Sequence, residues 1–365
     1  MVDQPGHKRV NQTAPVIHGR GAQSNPDNRF AEHDREAFDD GWGTLDEHVP
    51  PLRTELLVDA SKSLITYNDS PDIPFDRSIN PYRGCEHGCI YCYARPSHAY
   101  LGLSPGLDFE SRLFHKPDAA ALLRKELSRP GYRCAPIAVG VNTDAYQPVE
   151  RKLGITRALI EVLFEFNHPF SIVTKSALIE RDLDLLVDMA KRDLVHIAIT
   201  LTTLDRRLAR VMEPRAAAPD RRLETIRRLH SAGVPVSVSV SPIIPFLNDH
   251  ELETILQTAR QAGTRDASYV LLRLPHEVKD LFCDWLAAHY PLKAQRILHR
   301  ILDSRGSKAY DSRFGTRMRG EGHYADLIAS RFRMAYRKCR FPGPPPLDCS
   351  RFRVPGRPEQ IGLFE

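Results

Sequence analysis

From Ser78 onward, short runs of apolar and β-branched residues alternate with longer stretches in which apolar positions recur at helical spacing. The short runs predict strands at Ser78–Gly84, Pro136–Val141, Phe170–Thr174, Val195–Leu201, Val234–Ser241 and Ser268–Leu272. The longer pattern predicts helices at Asp118–Ser128, Thr156–Phe166 and Glu180–Lys191, helical material from Asp205 and again over Pro219–Ser231, then Asp249–Ala262 and Glu277–Ala288. Strict strand–helix alternation predicts an α/β fold with a parallel sheet and right-handed crossovers. Six such units without two more predict an open, partial (β/α)6 barrel rather than a closed eight-stranded one. Ligands in these folds gather at the carboxyl ends of the strands.

Outside this rhythm the pattern weakens. Residues 1–77 read as a mostly irregular extension, with Leu56-Leu57-Val58 and Ser63–Tyr67 as two short strands leading into the core. The core is expected over 78–275, a basic and mostly helical region over 276–340, and a proline-rich tail over 341–365. In the basic region, helices are expected at Lys293–Leu302 and Tyr324–Lys338.

The first strand runs directly into Cys85-Glu86-His87-Gly88-Cys89-Ile90-Tyr91-Cys92, a C-x3-C-x2-C loop with no fourth cysteine nearby. Thiolates normally hold the irons of a cubane cluster, so three from one loop leave one iron open to an exogenous ligand. Gly84 and Gly88 let the backbone wrap closely around a bulky group. Cys/His runs also bind zinc, with His87 or His98 as a fourth ligand, although a structural zinc site usually pairs two short knuckles and no second C-x2-C exists here.

The later strand exits carry further candidates. After the second comes Asn142-Thr143-Asp144-Ala145-Tyr146-Gln147-Pro148-Val149-Glu150, a polar run. Thr174-Lys175-Ser176 follow the third, Thr200-Leu201-Thr202-Thr203 close the fourth, Ser241-Pro242 the fifth, and Arg273 follows the sixth. Lys175 and Arg273 suit a carboxylate, and the hydroxyls suit a ribose or a methionine group. Serine and threonine also cap helices, and local ion pairs account for Asp144 and Glu150 nearly as well.

The cysteine loop resembles the signature of the radical SAM superfamily, C-x3-C-x-aromatic-C. Its flanks, Ser78-Ile79-Asn80-Pro81-Tyr82-Arg83-Gly84 and Cys92-Tyr93-Ala94-Arg95, resemble the subgroup related to spore photoproduct lyase. The resemblance implies a partial radical SAM barrel and a [4Fe–4S] cluster on Cys85, Cys89 and Cys92. The open iron would be chelated by S-adenosylmethionine, with Tyr91 against the adenine. It further implies reductive cleavage to a 5′-deoxyadenosyl radical, chemistry that belongs to the cofactor, and a one-electron donor of flavodoxin or ferredoxin type. Lys175 and Thr202 fall where the family contacts S-adenosylmethionine. With Asn142, Thr143, Asp144 and Arg273 they complete the expected cofactor-binding set. In spore photoproduct lyase a cysteine at the second strand exit donates hydrogen. Here that place falls at Val141 or Asn142, and the nearest thiol, Cys134, precedes the strand. Tyr146 is the expected hydrogen donor instead. Cys283, Cys339 and Cys349 lack a compact ligand spacing, so no second cluster is expected.

Composition adds three points. No apolar run reaches membrane-span length, the first residues lack a signal-peptide core, and seven cysteines without a disulfide pattern suit a reducing cytoplasm. The net charge of +5 is uneven: fifteen Lys/Arg face five acids between Pro291 and Arg353. Interleaved with them are Tyr310, Phe314, Tyr324, Phe332, Tyr336 and Phe341, which predicts nucleic-acid contact, with a solvated helix face over core aromatics as the alternative. The ending Gln360-Ile361-Gly362-Leu363-Phe364 resembles a peptide that docks into the bacterial sliding clamp. The expected function is radical chemistry on nucleic acid, as a DNA lesion or modified base. Modification of a protein or metabolite, and a non-catalytic iron–sulfur redox sensor that binds nucleic acid, are the alternatives.

Overall fold

Residues 17, 19–31, 52–307 and 310–356 are described in the computed structural model of the chain. The clamp-like ending and Lys308 lie outside them. The strands are β1 (Glu55–Val58), β2 (Ile65–Tyr67), β3 (Arg77–Ile79), β4 (Tyr82–Arg83), β5 (Arg112–His115), β6 (Ile137–Val139), β7 (Phe170–Thr174), β8 (Val195–Thr200), β9 (Val236–Ile243) and β10 (Asp266–Leu271).

The main sheet runs β10-β9-β8-β7-β6-β3-β2. Strands β3 and β6 to β10 pair in parallel, each with its sequence neighbour in the sheet. These six are the partial barrel that the periodicity predicts. Strand β2 adds an antiparallel edge against β3, so part of the expected N-terminal extension belongs to this sheet. A second, three-stranded sheet runs β1-β5-β4.

The first expected strand is divided. Residues Arg77–Ile79 lie in the main sheet and Tyr82–Arg83 in the small one, with Asn80-Pro81 between them. Pro81 has no N–H to continue a ladder, and its carbonyl instead accepts from the Lys116 N–H. This break swings the chain out of the sheet just before Cys85.

The crossover helices form where their sequences say they should. Pro219 occupies the first helical position of Pro219–Ser231, where its missing N–H costs nothing, and Leu223, Ile226 and Leu229 face the sheet. In Ile155–Glu165, Leu159, Ile160, Val162 and Leu163 are buried. Each such side chain contributes about 1.5–3 kcal/mol on burial. The expected helix over Glu180–Lys191 is a 3₁₀ turn, Ala177–Asp182, followed by an α-helix, Leu183–Ala190, because the Ser176 hydroxyl caps the chain earlier.

The basic C-terminal region docks on the barrel, and this corrects one expectation. In helix His323–Cys339, Tyr324, Phe332 and Tyr336 pack against the main core together with Phe341. The Phe332 ring lies 4.6 Å from Tyr269, and Tyr336 lies 4.9 Å from Phe341. These four rings are spent on packing and do not form an open stacking surface. Several cations are also committed: Arg331 pairs with Glu253, Arg317 with Asp72, and buried Arg305 donates to the carbonyls of Leu271, Leu272, Thr316 and Arg317. Phe314 remains exposed, with the Arg317 guanidinium 4.8 Å from its ring centre. No helix among the described residues is long and apolar enough to cross a membrane.

Candidate active site

The carboxyl ends of the parallel strands surround a cavity of about 290 Å³. Cys85, Cys89 and Cys92 line it, as do Tyr91, Asn142, Thr143, Asp144, Lys175 and Arg273. Two of the sequence candidates are elsewhere. Thr202 is fully buried beneath the cysteine loop and does not reach the cavity wall. Tyr146 is also fully buried, packed in the main core, with its hydroxyl donated to Asp182 at 3.0 Å. That position corrects the expectation of a hydrogen donor: a ring sealed in the core meets no substrate. The tyrosines that reach the cavity are Tyr91 and Tyr93, and sequence reasoning passed over the second.

The cysteine loop is held on three sides. On the first, the polar run after β6 grips it. The Thr143 hydroxyl donates to the Gly84 carbonyl at 2.7 Å, and the Gln147 side-chain oxygen accepts from the Glu86 N–H at 2.8 Å. His87 Nδ1 lies 3.2 Å from Asp144. Asp144 also accepts from the Thr174 hydroxyl and the Lys175 and Tyr146 N–H groups. Burial alone would raise the Asp144 carboxyl, but His87, the Lys175 N–H and the Thr174 hydroxyl overcome it and hold the group well below the usual carboxylate range. Asp144 and Thr143 therefore position the loop, and their polar atoms are already used.

On the second side, Arg95 and Glu110 form an ion pair with no exposed surface on either side chain. Arg95 donates to the Cys89 carbonyl at 3.0 Å, and Glu110 accepts from the N–H groups of Gly21 and Ala22. Gly88 has φ +65°, a conformation that favours glycine, and it lies against Gly21. A Cβ on Gly21 would fall 1.7 Å from the Gly88 carbonyl oxygen. Gly21→Ala is thus expected to displace the loop at a cost of about 1–3 kcal/mol, seen as a lowered melting temperature. A melting temperature equal to the wild type would contradict this close approach.

On the third side lies a buried network that no local sequence pattern announces. The Tyr91 hydroxyl donates to Glu213, which also accepts from the Thr202 hydroxyl and pairs with Arg222. Arg222 also donates to the carbonyls of Ala217 and Thr200. Desolvation would raise Glu213, but the charges of Arg222 and Lys175 and the Thr202 and Tyr91 hydroxyls outweigh it and hold it at about 2. Thr202 thus anchors Tyr91 from below.

Two cations remain unspent at the wall. The Lys175 ammonium lies 5.8 Å from the centre of the Tyr91 ring, and the Arg273 guanidinium 4.3 Å from that of Tyr93. Neither side chain makes a hydrogen bond or ion pair among the described residues.

The donor set suits an iron–sulfur cluster better than a single zinc ion. Among the described residues, no three His, Cys, Asp or Glu side chains converge as a single-ion site. Neither His87 nor His98 joins the thiols in such a group, and His98 does not line the cavity. The remaining thiols, Cys134, Cys283, Cys339 and Cys349, do not line the cavity.

Comparison with known proteins agrees with this geometry. The model of the Radical SAM superfamily matches residues 79–259. An uncharacterized protein of Mycobacterium tuberculosis is 37% identical over 236 residues, 64% of this chain and 69% of that one. Another, from Methanocaldococcus jannaschii, is 28% identical over 173 residues, 47% of this chain and 62% of that one. Among solved structures, spore photoproduct lyase complexed with dinucleoside spore photoproduct has a similar fold, with a TM-score of 0.58 at 17% identity, covering 79% of this chain and 80% of that one. A spore photoproduct lyase mutant with bound AdoMet gives a TM-score of 0.56 at 16% identity, covering 79% of each. With its open six-stranded parallel barrel and its cysteine loop at the mouth, the chain belongs to the radical SAM superfamily and is a radical SAM enzyme, with a [4Fe–4S] cluster and S-adenosylmethionine as its cofactors.

Proposed function

We propose that Cys85, Cys89 and Cys92 hold the cluster, that S-adenosylmethionine occupies its open iron, and that the substrate is nucleic acid. The observation that carries the cofactor assignment is that three thiols, with no fourth, share one cavity with Lys175 and Arg273, which have no ion-pair partner among the described residues. When bound, the cluster and S-adenosylmethionine supply a one-electron cleavage that yields a 5′-deoxyadenosyl radical for hydrogen abstraction.

The chain's own residues do the rest. Lys175 offers an ammonium beside the cysteine loop, without a partner among the described residues and suited to the methionine carboxylate. The Tyr91 ring, fixed through its hydroxyl, gives a flat wall for the adenine. Arg273 and Tyr93 stand together and suit the anionic, aromatic parts of a nucleic acid. In the N-terminal segment, Arg29 pairs with Glu277 and lies 4.6 Å from the centre of the exposed Phe30 ring, itself 5.4 Å from the exposed Tyr100. These exposed rings, rather than the packed ones of the C-terminal helix, supply stacking surface. The likeness in fold to a lyase solved with a dinucleoside lesion supports the same substrate class. At the second strand exit, however, Val141 and Asn142 line the cavity where that enzyme's hydrogen-donating cysteine is expected, so the relay differs. A one-electron donor of flavodoxin or ferredoxin type and a cytoplasmic setting complete the reading.

Lys175→Met is expected to weaken S-adenosylmethionine binding about tenfold, measured by equilibrium dialysis of the cluster-loaded protein. The substrate class is tested by incubating the reduced enzyme with S-adenosylmethionine and deuterated DNA or RNA. Deuterium in the 5′-deoxyadenosine is the expected result, and its absence with both nucleic acids would contradict the substrate assignment.

A further inference from the structure

We propose that a second, polar pocket beside the cavity mouth receives a phosphate group of the substrate. This rests on the nucleic-acid reading above and deepens it. The pocket has a volume of about 290 Å³ and shares Asn142 with the cysteine-lined cavity. It forms where the N-terminal segment crosses the divided first strand. Strand β2 and the loop before it build one wall, and β4 and the residue after β5 build the other.

Its chemistry is that of an anion site. Arg83 and Lys116 both line it, and among the described residues no carboxylate does. Asp59, just behind the wall, pairs with both through the same oxygen, at 2.7 Å from Arg83 Nε and 3.0 Å from Lys116 Nζ. One carboxylate between two cations leaves one positive charge in excess. Lys116 is anchored further by donating to the Asn80 carbonyl at 3.0 Å, and its side chain is only 9% exposed. The ammonium is thus fixed in a nearly closed position at the pocket wall, sharing its carboxylate partner with Arg83. Arg83 is 44% exposed on the solvent side and retains N–H groups that Asp59 does not occupy.

Around these cations are uncommitted donors. The hydroxyls of Ser63, Thr66 and Ser97 line the pocket and make no hydrogen bond among the described residues. The Tyr82 hydroxyl, by contrast, is turned away to Glu150. A guanidinium, an ammonium and several free hydroxyls around one small volume match the tetrahedral oxygens of a phosphate. Because Asn142 belongs to both pockets, a phosphate held here places the attached sugar or base toward the cavity of the three thiols.

The test uses the full cluster-loaded chain without oxygen. Two probes are compared, a fluorescein-labelled single-stranded oligonucleotide and a nucleoside 5′-monophosphate. Arg83→Gln removes the outer cation, and Ser63→Asp places a negative charge at an exposed wall position. Each is expected to weaken binding about tenfold, and Arg83→Gln to lower the salt slope for the oligonucleotide by about one. Losses with both probes assign a nucleic-acid phosphodiester, and a loss with the monophosphate alone assigns a small phosphorylated substrate. Unchanged affinity of both variants for both probes would overturn the proposal. Circular dichroism melting confirms that the variants are folded, and the two changes lie on opposite walls of the pocket, Ser63 in the loop before β2 and Arg83 in β4. If wild-type protein failed to form 5′-deoxyadenosine, the enzymatic reading would fall, while this binding comparison would stand on its own.

Discussion

Glu213→Gln is expected to cost about 3–5 kcal/mol of folding stability and to flatten the protein's response to acid. The Glu213 side chain is fully buried and that of Arg222 is 2% exposed. Removing the carboxylate's charge strands the guanidinium in a low-dielectric site, where its carbonyl partners at Ala217 and Thr200 offset only part of the penalty. The folded protein holds Glu213 at about 2, against an ordinary 4.5. Its contribution is therefore fully present above about pH 4.5 and is lost as pH falls through 2, amounting to about 3 kcal/mol. Urea unfolding of the cluster-free protein between pH 7 and pH 3 checks both statements. The variant should begin less stable and lose less on acidification. Equal midpoints at pH 7 would show that the pair contributes nothing. The same change replaces the charged acceptor of the Tyr91 hydroxyl with a neutral one and so weakens the loop's hold from below.

What the sequence made legible follows from how local each signal is. The six parallel strands could be read because apolar runs such as Phe170–Thr174 and Val195–Thr200 alternate with helices whose buried faces recur at regular spacing. The division of the first strand could not, since it depends on Pro81 meeting Lys116 across the small sheet. The thiols and most strand-exit residues were legible because the chain rule for ligand position needs only element order. Tyr146 misled for the same reason. It follows a strand exit, but Asp144 turns toward His87 and leaves the tyrosine ring facing the core and Asp182. Glu213 with Arg222, and Arg95 with Glu110, were invisible because charged residues read as surface until tertiary contacts bury them. In the C-terminal helix, Ala325, Ile328, Phe332 and Tyr336 recur at helical spacing, which is the signature of a packed stripe rather than of base-stacking rings.

The second large effect concerns the thiols. Alanine at Cys85, Cys89 or Cys92 is expected to abolish both the iron–sulfur absorbance and S-adenosylmethionine cleavage, because in the proposed site each thiolate would anchor a separate iron and two would not hold the cluster. Alanine at Cys134, Cys283, Cys339 or Cys349 should leave both intact, since none of these reaches the cavity. Iron and sulfide analysis with absorbance spectra checks the partition. Loss of the cluster on removing one of the four outlying thiols would reveal a further ligand and close the position assigned to S-adenosylmethionine.

The open position proposed on the fourth iron is most directly tested by electron–nuclear double resonance of the reduced protein with S-adenosylmethionine carrying ¹⁷O in its carboxylate and ¹⁵N in its amino group. Strong hyperfine coupling of both nuclei to the cluster is predicted. A reduced cluster showing no coupling to either label, its irons all held by side chains, would contradict the account.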